Sequence, residues 1–171
     1  MQAALDRLTG PLHLGVALAA AWLIFSSPWI GMYHQMPDDP GFLDLSHVVV
    51  GFAALLMGAL YTAACAQGGR WREYFPWVGG EVAAVGRDVA GLVRGRLPTV
   101  EGGGLLPAIE GLLLLALLAA GATGALWFFV QGSDTAVALR DAHIAAARTF
   151  AVLMLLHFVG VAVHLLDFVR E

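Results

Sequence analysis

The sequence predicts an all-α integral membrane protein, a single domain over residues 1–171 arranged as a four-helix bundle. Two observations predict it. Mean hydropathy is +0.76 and only 13% of the residues are charged, where a soluble domain carries about 25%. Four apolar runs, 12–32, 43–66, 105–130 and 143–169, hold the excess, and each reaches or exceeds the ~20 residues a spanning helix needs. No internal repeat is evident.

The first run carries a histidine and two tryptophans and lacks a small-residue cleavage site, so it reads as a retained span rather than a signal peptide. Between the second and third runs, Val78, Val82, Val85, Val89 and Leu92 recur at three- and four-residue steps among Glu81, Arg87, Asp88 and Arg94. That pattern predicts a short amphipathic helix over about 77–96, lying in the membrane interface. Pro98 ends it, and Gly102, Gly103 and Gly104 link it to the third span. All nine cationic residues are arginines. Arg7, Arg70, Arg72, Arg87, Arg94, Arg96 and Arg170 fall on one side, against Arg140 in a loop on the other. The positive-inside rule then puts both termini and the middle loop in the cytoplasm. The opposite loops are acidic, with Asp38, Asp39, Asp44, Asp134 and Asp141. Net charge is −4, and no nucleic-acid partner is expected. Cys65 is the only cysteine, which excludes a disulfide framework, a Cys-x-x-Cys-His haem attachment and a thiolate-ligated iron–sulfur cluster.

Four intramembrane histidines carry the chemistry. His143 and His157 in the fourth run are fourteen residues apart, close to four turns, so both project from nearly one face about 21 Å apart along the axis. His13 lies near the start of the first run and His47 near the start of the second. With the predicted topology the four fall into two layers, His47 with His143 outside and His13 with His157 inside. Each layer takes one histidine from the fourth helix and one from another. Interhelical hydrogen bonding is the ordinary use of a lone membrane histidine. Copper is a further alternative, since imidazole suits several ions. A mononuclear site gathers its ligands at one depth, whereas these pairs are separated by most of the membrane. Two bis-histidine haems account for that separation better. Small residues near the histidines (Gly51, Gly58, Ala146, Ala147 and Gly160) suit a porphyrin, although they equally suit helix packing.

The four spans, the early histidines of spans one and two, and the fourteen-residue pair in span four resemble the bacterial cytochrome b561 family. They also resemble the related b-type cytochrome subunits of formate dehydrogenase and nickel–iron hydrogenase. The likeness covers nearly the whole chain. It implies two haem b groups, ligated His13–His157 and His47–His143, in the bacterial inner membrane. The dehydrogenase-associated members often carry an Asn- and Lys-containing stretch before span three. This chain has Gly102-Gly103-Gly104-Leu105-Leu106-Pro107 there, without lysine.

The resemblance also implies a quinone site beside the cytoplasmic haem. Residues expected at that level are His164, Glu110, Arg70, Trp71 and Arg72. His164 follows His157 by seven residues, on nearly the same face, and can hydrogen-bond or exchange a proton with a quinone. Glu110, one turn into span three, can pass protons or snorkel to the interface. Arg148 sits within the fourth run, where an isolated cation is costly. It is expected to face the bundle interior toward an anion, a haem propionate or a carboxylate. His34 has no expected ligand role.

The expected function is transmembrane electron transfer between a redox protein or dehydrogenase subunit, docked at the outer face, and the quinone pool. A self-sufficient superoxide:quinone oxidoreductase is the alternative that the resemblance permits. The acidic loops disfavour an anionic substrate and favour a basic protein. A haem-free membrane scaffold is the third class, and an absorption spectrum separates it from the others.

Overall fold

A computed structural model describes residues 2–67, 71–79, 82–98 and 103–170. They are helical, with no strand among the described residues. Seven α-helices follow in chain order. These are α1 (Gln2–Ser26), α2 (Phe42–Gln67), α3 (Trp71–Tyr74), α4 (Pro76–Gly79), α5 (Val82–Val93), α6 (Leu105–Val130) and α7 (Asp134–Arg170). A 3₁₀ turn over Ser27–Trp29 continues α1. Four helical stretches are long and apolar enough to cross a membrane: Thr9–Trp29, Phe42–Gln67, Leu105–Val130 and Asp134–Leu166. The chain is therefore an all-α membrane protein. Among these stretches, α6 has 33% of its apolar window buried and α7 only 6%. Most of α7 therefore turns apolar side chains such as Val152, Leu155 and Phe158 outward, as lipid contact requires.

Two details differ from the sequence expectation. Helix α7 begins at Asp134, nine residues before the apolar run at 143. Hydropathy marks only the apolar part of a helix, while Asp134 in the first turn suits the positive end of its dipole. The interfacial helix expected over 77–96 corresponds to α4 and α5. Glu81, between those two helices, lies outside the described residues, as does Arg70.

The chain folds as two compact units. The first comprises 1–64 and 116–150. It holds α1, most of α2, the end of α6 and the start of α7. Its loop over residues 30–41 is tied down through its backbone. The Trp127 indole N–H donates to the Tyr33 carbonyl at 3.2 Å and Arg140 Nε donates to the Met32 carbonyl at 3.2 Å. Gly132 N–H donates to the His34 carbonyl at 3.0 Å, and Met36 N–H to Gln131 Oε1 at 3.0 Å. Asp44, buried in the first turn of α2, accepts from Gly41 N–H at 3.2 Å and from Gly31 N–H at 3.0 Å. The Gly41 bond is the return half of a capping box.

The second unit comprises 65–115 and 151–171. Buried Asp88 on α5 accepts from the Leu105 N–H at 2.8 Å, which satisfies a free donor at the start of α6. Val82, Val89, Leu92 and Val93 on the same helix are exposed, so α5 presents apolar side chains outward. That is the disposition of a helix lying in a membrane interface.

Candidate functional site

In the first unit, α2 and α7 bring His47 and His143 together. Their ring centroids are 6.3 Å apart and the rings are nearly perpendicular, at 81°. Each ring is held at Nδ1. His143 Nδ1 lies 2.8 Å from the Ala120 carbonyl oxygen. A carbonyl only accepts, so this nitrogen carries the proton. His47 Nδ1 lies 3.1 Å from Ser26 Oγ. Ser26 Oγ also lies 3.3 Å from the Leu23 carbonyl, so the hydroxyl can turn its proton there and accept from a His47 N–H. With a proton on Nδ1 and a lone pair on Nε2, each ring can serve as a ligand. This is the state in which imidazole binds a metal, with the other nitrogen donating to an oriented acceptor. Two metal–imidazole bonds of about 2 Å each, together with the two ring radii, match the observed centroid separation. A side chain at Gly124 would intrude, because its Cβ would stand 3.0 Å from His143 Nδ1. Among the described residues, no three His, Cys, Asp or Glu side chains form a metal site. A pair of axial ligands is a different arrangement.

His13, on α1 in the same unit, is exposed and lies 5.8 Å from the Tyr61 ring. Its expected partner, His157, belongs to the other unit. Arg148 is exposed on α7 and makes no ion pair with a described residue, so the inward-facing position expected for it is not what is seen. The helix turns most of its surface outward, and a long guanidinium side chain can reach along that surface toward water or lipid phosphate.

In the second unit, α3, α6 and α7 line a cavity of about 300 Å³. Glu73, Tyr74, Glu110, His157 and His164 give it polar groups, and Leu106, Pro107 and Val161 supply apolar wall. Glu110 Oε1 stands 3.7 Å from His157 Nδ1. His164 Nε2 is buried with no hydrogen-bond partner among the described residues. Such a group is costly unless a ligand or water completes it. His164 and Glu110 thus line one cavity. Arg72 does not join them, since its guanidinium lies 5.3 Å over the Trp71 ring. Arg70 lies outside the described residues.

The sequence reading missed Glu73 and Tyr74 in this cavity, and Ser26 and Gly124 beside the histidine pair. Glu73 and Tyr74 adjoin Arg72, so the right segment was found but not the side chains that turn inward. Of the small residues noted in the sequence, Gly58 and Gly160 serve helix packing. A Cβ on Gly58 would strike Leu117 at 2.8 Å, and one on Gly160 would strike Leu106 at 2.6 Å.

A family model described as prokaryotic cytochrome b561 matches residues 5–167. No curated protein and no solved structure matches the chain.

Proposed function

The chain belongs to the prokaryotic cytochrome b561 family, and from that premise we propose that it carries electrons across a bacterial inner membrane. It is a membrane cytochrome b, whose family implies haem b. The finer reading is two haems per chain, ligated His47–His143 and His13–His157, that link a redox protein or dehydrogenase subunit to the quinone pool. Both termini are cytoplasmic in this reading. The single observation that supports it best is the His47–His143 pair, with Nδ1 of each ring occupied and Nε2 left to bind iron. When bound, haem with two axial histidines supplies one-electron transfer without an open position for oxygen.

The protein's own groups do the rest. The Ala120 carbonyl requires the Nδ1 proton of His143, and Ser26 orients His47 at the same nitrogen. Glu110 faces the Nδ1 side of His157, where a carboxylate orients the ring and raises its basicity. The cavity beside His157 is the proposed quinone site. It combines apolar wall with a few polar groups, as small-molecule sites do. His164 donates to or accepts from a quinone carbonyl, and Glu110 exchanges a proton there. Arg72 supplies positive charge beside the cavity, and Arg148, exposed on α7, meets a lipid phosphate.

Purified protein should show a low-spin b-type spectrum and about two haems per chain by the pyridine haemochrome assay. A value near zero overturns the reading. A value near one removes one of the two pairs.

A further inference from the structure

We infer that Ser26 is a positioning residue that sets the midpoint potential of the haem held by His47, an inference that rests on the His47–His143 ligation proposed above. Three observations carry it. Ser26 is fully buried at the end of α1, with 0% of its surface exposed. Its Oγ lies 3.1 Å from His47 Nδ1. The Leu23 carbonyl, one turn back on the same helix and 3.3 Å from Oγ, is an acceptor for the hydroxyl proton. With His47 Nε2 on iron the ring proton sits on Nδ1, so Ser26 Oγ accepts it while its own proton turns to Leu23.

Two consequences follow for the ligand. The bond fixes the orientation of the ring at Nδ1 and leaves Nε2 to the iron. The bond also draws the Nδ1 proton partly toward oxygen, which makes the imidazole a stronger donor. A stronger axial donor favours ferric over ferrous iron and lowers the potential. The two ligands of this pair are therefore unequal. His143 donates to a backbone carbonyl that no side-chain substitution removes. His47 donates to a side chain, so its donor strength is set by one codon.

Redox titration and electron paramagnetic resonance of Ser26→Ala and Ser26→Thr, beside His47→Ala and His157→Ala, test this. Ser26→Ala should raise the potential of the haem that His47→Ala removes, or selectively deplete it, and should alter its largest g value. Ser26→Thr, which keeps the hydroxyl, should return these properties toward the unsubstituted protein. Unchanged potentials in Ser26→Ala overturn the inference, as does a downward shift. A shift in the haem depleted by His157→Ala also overturns it. Equal shift or equal haem loss in the Ala and Thr variants assigns Ser26 to packing and overturns it too. If His47→Ala keeps both haems, the ligation itself is wrong, a result distinct from all of these.

Discussion

Helix α7 carries His143 in the first unit and His157 in the second, and the two are treated differently. His143 is pinned by a backbone carbonyl at 2.8 Å and crowded by Gly124. His157 faces a carboxylate at 3.7 Å and lines a cavity of about 300 Å³. A backbone acceptor and close packing fix a ring and admit nothing else. A looser carboxylate contact beside open volume leaves room for a ligand that comes and goes. The same residue type on one helix is thus suited to holding a cofactor in one unit, and to holding a cofactor next to an exchangeable molecule in the other.

The most severe break in this comparison is removal of either ring. His143→Ala and His157→Ala should each halve the haem content, measured by pyridine haemochrome, and each should spare a different haem. If both substitutions deplete the same haem, the two-site reading fails. A sharper probe of the crowded side is Gly124→Val. The added side chain meets His143 at its hydrogen-bonded nitrogen, and overpacking of this kind costs about 1–3 kcal/mol. It should lower occupancy of the haem that His143→Ala removes, with Gly124→Ala causing less loss. Full occupancy of both haems in Gly124→Val would show that the ring has room to move.

On the open side, His164→Ala should leave both haem spectra in place. It should slow reoxidation by quinone on the order of 10-fold, the value of one hydrogen bond to a bound group. Stopped-flow oxidation by a short-chain quinone measures it, and an unchanged rate removes His164 from the site. The smallest effect is expected from Arg140→Ala, one turn before His143 but bonded to the loop over residues 30–41. It loses the bond to the Met32 carbonyl and the contact of its guanidinium 4.7 Å over Tyr33, together about 1 kcal/mol. Thermal unfolding should then fall by roughly 2–4 °C with haem content unchanged.

Hydropathy made the four spans legible, because a membrane helix announces itself by twenty apolar residues whatever its neighbours. The His47–His143 approach was legible for a related reason. Topology fixes depth along the membrane, and two histidines at one depth on different helices are candidates to meet. What holds those rings was not legible. Ser26 is one serine near a helix end, and the Ala120 carbonyl belongs to a residue with no polar side chain. Neither has a periodicity to read. Nothing in the sequence separates Gly124 from Gly58 and Gly160, because spacing along one helix says nothing about which side chain arrives from another. Glu73 and Tyr74 sit on a helix of four residues, too short for an amphipathic pattern to show which side faces the cavity. Arg148 was expected to turn inward on the cost of an isolated charge, and that cost is also relieved by reaching outward along the helix.

The tethered loop over residues 30–41 has a consequence for association. Asp38 and Asp39 are exposed on it, while the backbone on either side is bonded through Tyr33, His34, Met36 and Gly41. A floppy acidic loop loses conformational entropy when a partner orders it, and that loss weakens the complex. Here the loss has already occurred during folding. A protein that docks on this loop meets charges at fixed positions. It is selected by whether its own charges match that spacing, and rising ionic strength slows its arrival more than it hastens its departure.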